Sequence, residues 1–311
     1  MTGPTILPAA GILCGFAALA QVAGPANIDR PFKLMPKLEN GLVCGTEIEE
    51  PRIFATTAKG VSLFDRLLTV GDTTGTKLFS CAVGKNSALA VSGGGYDSSG
   101  RITAFIAFLD PSGNTIKTLH SNEFAASRLH FDVADRLWAV GVPMGSKKKG
   151  EPRDLVVKRF NADGSVGRSL RIAYPVDDES QSAGLHAPYI GFTSRELVIL
   201  RKEWSELAFV PTSDGDDSVR RVRFTSLSRS DIVVGFVVTP SDKIFLKVQI
   251  ADPSGKPRNR YPLRRWNAAL SKWEEVQGEE YQGPHAILGA MGRLFLTAYK
   301  FESLWVPIPG E

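Results

Sequence analysis

The chain contains four histidines, and three of them sit where imidazoles could meet. His130 lies two residues before Asp132. His186 lies in Gly184-Leu185-His186-Ala187-Pro188, and His285 in Gly283-Pro284-His285-Ala286. A neutral imidazole binds a divalent metal or acts as a general base near neutral pH, and a carboxylate completes either arrangement. His130, His186, His285 and Asp132 are therefore the candidates for a catalytic or metal site, and the reaction would be that of a hydrolase or lyase. The competing role is structural, because a histidine on an inner strand commonly hydrogen-bonds only a neighbouring backbone group. No other cofactor is called for.

The remaining chemistry is sparse. No GxSxG, P-loop, HExxH, GxGxxG or EF-hand sequence occurs, and no N-x-S/T acceptor. Gly93-Gly94-Gly95-Tyr96-Asp97-Ser98-Ser99-Gly100 has the look of a phosphate cradle, but a strand follows it where a helix N-terminus would be needed. It reads as a flexible loop with Tyr96 at its tip. The cysteines are Cys14, Cys44 and Cys81, with no CxxC. If Cys14 is removed, Cys44 and Cys81 remain as an even pair. They either form a disulfide in an oxidising compartment or stay as small buried hydrophobes.

Residues 5–20, TILPAAGILCGFAALA, carry no charge, and Ala18-Leu19-Ala20 fits a small-residue cleavage site. Residues 1–20 are expected to be a secretory signal and 21–30 a linker, which makes the chain secreted or periplasmic. Two features depart from a signal: no Lys or Arg precedes the run, and Pro8 interrupts it. A mis-assigned start is the alternative, and a retained segment would mean a cytoplasmic protein. The run is too short and too broken for a membrane span.

The elements that must position these residues form a repeat. Short Asn-, Asp- and Gly-containing turns, each between alternating apolar strands, recur at Ala58, Asp110, Asn161, Ser213 and Asn267, in steps of 52, 51, 52 and 54. A second series precedes the later turns: Asn86–Val91, Asp135–Val140, Arg195–Leu200, Asp242–Lys247 and Gly292–Thr297. Two hairpins per period make four antiparallel strands per repeat, as in a β-propeller blade. Blades 2 to 5 are expected over 78–120, 127–172, 186–225 and 231–277. The last blade shows three strands, at 286–290, 293–299 and 303–308. The N-terminal segment PFKLMP is expected to supply its fourth strand, closing the ring and hiding the sheet edges. Residues 31–311 then form one all-β domain of six blades, with five or seven as the other counts.

Sequences such as Asp135-Arg136-Leu137-Trp138, Gly292-Arg293-Leu294-Phe295 and Phe160-Asn161-Ala162-Asp163-Gly164 resemble six-bladed propellers of the NHL-repeat and SMP-30/gluconolactonase-like groups. The resemblance covers the whole predicted domain. It implies a ligand site at the top of the central channel. Lactonase-type relatives hold a metal there with Glu, Asn and Asp on inner strands. The inner strands here offer Asp132 and little else, which speaks against that reaction.

With the strands of a blade lettered a to d from the innermost outward, the d-to-a and b-to-c connections of a propeller share the usual ligand face. The candidates on that face are Tyr96, Lys147, Lys148, Lys149, Arg258 and Arg260. Net charge is +4, and on this face the basic stretches 144–153 and 252–260 are cancelled by the acidic stretches 173–186 and 278–285. Nothing drives binding to a phosphate backbone, so nucleic acid is excluded as a partner. Arg220, Arg221 and Arg223 fall on an outermost strand, where charge discourages edge-to-edge pairing. Trp138 and Phe295 hold equivalent positions between blades. Trp204, Trp266, Trp273 and Trp305 have no such equivalents, so they either pack or stack on a sugar or peptide at the rim. The leading function is that of a monomeric, non-catalytic binding or scaffold propeller for a protein, peptide or saccharide.

Overall fold

The computed structural model describes residues 42–46, 50–57, 62–84, 88–145, 154–173, 188–202, 205–225, 227–228, 230–239, 241–252, 260–278, 286–290, 293–297 and 303–307. These residues form twenty-two strands in six antiparallel sheets, each a meander in chain order. Sheet 1 comprises β1 (Leu42–Thr46), β2 (Arg52–Thr57) and β3 (Ser62–Leu67). Sheet 2 comprises β4 (Thr74–Val83), β5 (Leu89–Tyr96), β6 (Ile102–Leu109) and β7 (Thr115–Ser121). Sheet 3 comprises β8 (Phe124–Phe131), β9 (Leu137–Pro143), β10 (Leu155–Phe160) and β11 (Val166–Ile172). Sheet 4 comprises β12 (Tyr189–Phe192), β13 (Glu196–Arg201), β14 (Glu206–Pro211) and β15 (Arg220–Arg223). Sheet 5 comprises β16 (Ile232–Val238), β17 (Ile244–Gln249), β18 (Leu263–Asn267) and β19 (Lys272–Glu275). Sheet 6 comprises β20 (Ala286–Ala290), β21 (Arg293–Thr297) and β22 (Ser303–Pro307).

The chain is a β-propeller. The first strands of sheets 2 to 6 lie beside one another in order, which makes them the inner strands. The β2–β3 turn is in phase with the third-to-fourth-strand turns of the later sheets, so β1 occupies a second-strand position. An inner strand for sheet 1, an outer strand for sheet 6, and ring closure by PFKLMP all fall outside the described residues.

One turn recurs within the repeat. Residues 97–101, 110–114, 132–136, 161–165 and 239–243 share it. The first residue's N–H donates to the fifth residue's carbonyl, and the fourth residue's N–H donates to the first residue's carbonyl. The fourth residue takes a left-handed conformation: φ is 76° at Gly100, 80° at Gly113, 61° at Asp135, 78° at Gly164 and 63° at Asp242. Only Gly, Asn and Asp visit that region readily. The first residue's side chain also caps the turn. Asp110 Oδ1 accepts from the N–H groups of Ser112 and Asn114, and Asp97 Oδ1 from those of Ser99 and Arg101. The regularly spaced turns at Asp110 and Asn161, and those at Asp135 and Asp242 in the second series, are of this kind.

The sheets pack face to face, so their strands are apolar on both sides. Val91, Phe105 and Ala107 of sheet 2 meet Cys44, Ile53 and Ala55 of sheet 1. Ala90 and Ile106, on the opposite face, meet Leu129, Phe131 and Ala139 of sheet 3. Trp138 is fully buried between sheets 3 and 4, the inter-blade place expected for it. Cys44 on β1 and Cys81 on β4 are joined by a disulfide with a Cα–Cα distance of 6.2 Å, linking sheets 1 and 2.

The glycine run is not a loop. Gly93, Gly94 and Gly95 lie inside β5, whose partner β4 bulges beside them. A Cβ on Gly93 would sit 2.5 Å from the carbonyl oxygen of Lys77, and one on Gly95 would sit 2.6 Å from that of Thr74. Close approach of backbones, and not loop freedom, requires glycine here.

Candidate functional site

Every inner strand runs from the end bearing the d-to-a and b-to-c connections, called upper here, to the end bearing the a-to-b and c-to-d turns, called lower. This polarity locates the predicted site residues that are described. His130 is the penultimate residue of β8, near its lower end. Six residues of strand, about 20 Å, separate it from Phe124 at the upper end. His186 and His285 precede the first strands of their sheets and lie outside the described residues, as do Lys147, Lys148, Lys149 and Arg258. His130 thus lies away from the top of the channel, where the resemblance implies a ligand site.

The surroundings of His130 and Asp132 are built from structural contacts. The His130 ring packs 4.8 Å from the Phe192 ring of sheet 4, and Nδ1 is 2.9 Å from the carbonyl oxygen of Phe131. Asp132 is 2% exposed. Its Oδ1 accepts from the N–H groups of Ala134 and Arg136. Its Oδ2 accepts from Arg136 Nε at 2.8 Å and Trp138 Nε1 at 2.9 Å. Arg136 continues to the carbonyl of Thr212 in sheet 4. Asp132 therefore caps a turn, holds the core indole and ties two sheets, which occupies both oxygens. Among the described residues no three His, Cys, Asp or Glu side chains are grouped as a metal would need. No described helix is long and apolar enough to cross a membrane.

The upper end presents a different surface. Tyr96 and Ile102 face each other across β5 and β6, with Thr74 opposite Tyr96 on β4. They are 49% and 64% exposed. Phe79, 38% exposed, lies over Gly94. All three share one face of sheet 2, Tyr96 and Ile102 at its upper end and Phe79 at mid-strand. The Tyr96 ring also lies over Gly75, which has φ 60°. Arg260, also at the upper end, pairs with Glu275 at 2.9 Å, so it is held on the rim of sheet 5.

Two inner-strand residues were not singled out by the sequence. Arg128 of β8 lies 5.9 Å over the Tyr189 ring of β12, and Tyr189 donates its hydroxyl proton to the carbonyl of Val233 on β16 at 3.0 Å. The contacts run across the inner strands of sheets 3, 4 and 5. Burial pushes the Arg128 guanidinium down to about 10, and Tyr189 offsets this in part. An arginine on an inner strand was the available signal. Phe79, at a bulge in the middle of β4, and Ile102, at the start of β6, were missed because an exposed apolar residue on a strand has the same sequence signature as a buried one.

The outlying tryptophans are partly explained. Trp266 and Trp273 face each other across β18 and β19 with ring centroids 5.2 Å apart. Both pack on Phe224, which follows β15. Trp266 also lines a depression of about 310 Å³ at the lower end of sheet 5, with Asp242, Lys243, Ile244, Arg265, Asn267 and Ala268.

No protein-family model matches the chain, and no curated protein matches its sequence. Solved structures do match its shape. A protein of unknown function from Bacteroides caccae aligns with a TM-score of 0.52 and 10% identity, over 82% of this chain and 81% of its own. A gluconolactonase from Xanthomonas campestris aligns at 0.45 and 13%, over 85% and 81%. The β-propeller domain of the trilobed protease from Pyrococcus furiosus aligns at 0.45 and 12%, over 85% and 76%. At these identities the likeness is one of fold.

Proposed function

We propose that the chain is an exported, non-catalytic binding or scaffold propeller that engages a protein or peptide with the upper end of its sheets. The observation that carries this reading is the exposure of Phe79, Tyr96 and Ile102 on one face of sheet 2. Clustered exposed apolar side chains, with an aromatic that keeps a polar tip, are the usual anchors of protein recognition. The oxygens of Asp132, by contrast, are taken by two backbone N–H groups, Arg136 and Trp138, which favours binding over a reaction at that residue. Export is supported by the disulfide between Cys44 and Cys81, which is stable in oxidising compartments, and by the signal-like residues 1–20. A monomer of six blades is part of the same proposal.

The test is selection from a displayed random-peptide library on the purified protein, with the double variant Tyr96→Ala/Ile102→Ser beside it. The wild type should enrich peptides with apolar anchors, and the variant should bind them at least about tenfold more weakly. Equal binding by both proteins, or no enrichment by the wild type, would overturn the reading.

A further inference from the structure

Sheet 5 differs from its neighbours in how its second and third strands pair. At the lower end β5 and β6 stay paired to Leu89–Leu109. β9 and β10 stay paired to Leu137–Phe160, and β13 and β14 to Glu196–Pro211. In sheet 5 the ladder ends at Phe245–Arg265. Beyond that rung Ile244 pairs inward with Val238 of β16, while Trp266 and Asn267 pair outward with Trp273 and Lys272 of β19. The strands fork, and the depression of about 310 Å³ lies in the fork.

The fork explains the composition of that lining. Adjacent residues of a strand point to opposite faces, so Arg265 and Trp266 line one depression only where the sheet opens beside them. Ala268 and Trp266 supply apolar surface, with buried Ile244 at the floor, and Trp266 is braced by Trp273 and Phe224. Lys243 and Arg265 supply positive charge. The Asp242 carboxylate keeps its charge and is tied to the β12–β13 turn of sheet 4, where it accepts from the Ser194 N–H and from Ser194 Oγ at 2.7 Å. Glu274, opposite Arg265 across the strands, is held below the usual carboxylate range by Asn267, then by Lys272 and Arg265.

We infer that this fork is a second binding site, for an acidic monosaccharide unit such as a uronate. A sugar ring has an apolar C–H face that lies on an indole, and hydroxyls that suit a polar rim. Its carboxylate suits an arginine fork and a lysine. The volume sits at the small end of the roughly 300–1,000 Å³ range of ligand pockets, which fits one or two rings. The site is at the opposite end of the sheets from Tyr96 and Ile102, so it stands or falls apart from the peptide surface.

Saturation-transfer NMR and calorimetry with D-glucuronate test it on the full chain. Binding should appear with a dissociation constant on the order of 1 mM, and D-glucose should bind at least about tenfold more weakly. Trp266→Ala should abolish binding. Trp266→Phe should keep a weaker platform and retain it, which separates loss of the ring from loss of the fold. Arg265→Gln, at an exposed position, should weaken glucuronate by about tenfold and leave glucose unchanged. Tyr96→Ala/Ile102→Ser should bind glucuronate as the wild type does. Three results would overturn the inference: no saturation transfer from the wild type, equal binding by Trp266→Ala, or benzoate or inorganic phosphate binding as tightly as glucuronate.

Discussion

The two ends of the sheets are built by different rules. At the lower end, charged and polar groups reach from sheet to sheet. Arg168 of β11 donates to Asp217 Oδ1 and to the carbonyls of Pro211, Ser213 and Asp216. Arg159 donates to Asp214, and Arg159 and Arg168 both lie 5.9 Å over Trp138. Arg136 reaches Thr212, and Asp242 holds Ser194. Four of the connections there, at 110–114, 132–136, 161–165 and 239–243, are five-residue turns. At the upper end three connections are longer, at 144–154, 173–188 and 250–262, beside short ones at 97–101 and 122–123, and sheet 2 shows apolar side chains to solvent. The contrast teaches that one end is spent on holding neighbouring sheets in place, which leaves the other end free to vary its surface. The forked sheet 5 is the exception at the lower end, and there the missing rungs open a pocket.

Breaking the bond between sheets 1 and 2 should give the largest effect. The disulfide closes a loop with a sequence separation of 37, and its removal by Cys44→Ser/Cys81→Ser should cost about 4 kcal/mol in urea unfolding. A loss below about 1 kcal/mol would show that packing of Ile53 and Ala55 on Leu78 and Val83 suffices. Next, Asp132→Ala should cost about 3 kcal/mol, because it leaves the buried Trp138 N–H and two backbone N–H groups without their acceptor. The same variant should bind selected peptides as the wild type does. Lost peptide affinity with intact stability would mean that Asp132 is a site residue after all.

How much of this was legible follows from what each residue does locally. The inner and middle strands of sheets 2 to 5 could be placed because their boundaries are set by turns, and those turns need particular residue types. Asp110 and Asn161 mark the repeat because their side chains close it. Asp132 was read as chemistry for the same reason it was noticed: it is an acid on an inner strand. Its spacing to Asp135 matches Asp97 to Gly100 and Asp110 to Gly113, and that phase was the signal for a turn. The end of the sheet at which His130 sits follows from strand direction, which was available, but its contact with Phe192 comes from a neighbouring sheet. The fork at Trp266 was not legible. It depends on which strand Ile244 and Trp266 pair with, and the apolar pattern is the same either way.

A smaller effect should appear in acid, and it should appear first at the lower end. Asp110 is held below its ordinary value of 3.8 by the Asn114 side chain, then by the N–H groups of Asn114 and Ser112. Ser165 lowers Asp163, and Ser218 lowers Asp216. Arg159 lowers Asp214. A carboxylate whose pKa falls on folding adds stability that is complete above the unfolded value, and that stability is lost as pH falls through the folded one. Amide hydrogen exchange should therefore show c-to-d turns losing protection as pH drops below 3.8, ahead of the upper ends of the same sheets. Asp97, lowered by Ser99 and then by the Arg101 N–H, should be the upper-end position that follows them. Uniform loss along the strands would remove the distinction between the ends.

The smallest effect on stability should come from the surface proposed to matter most for binding. Ile102 and Ile106 lie on one strand and one face of sheet 2, but Ile102 is 64% exposed and Ile106 is 5% exposed. Ile106 packs among residues of sheet 3, so Ile106→Ser should cost about 3 kcal/mol through lost burial and a cavity. Ile102→Ser removes a side chain already in water, and its unfolding free energy should stay within about 0.5 kcal/mol of wild type. The two substitutions are chemically identical and four residues apart, so strand propensity cannot separate them. If Ile102→Ser keeps full stability and loses peptide binding, an apolar group is retained at the upper end for something outside the fold. If it destabilises the protein as Ile106→Ser does, Ile102 is covered in solution by another part of the chain, and the upper end of sheet 2 is core that happens to lie at an edge.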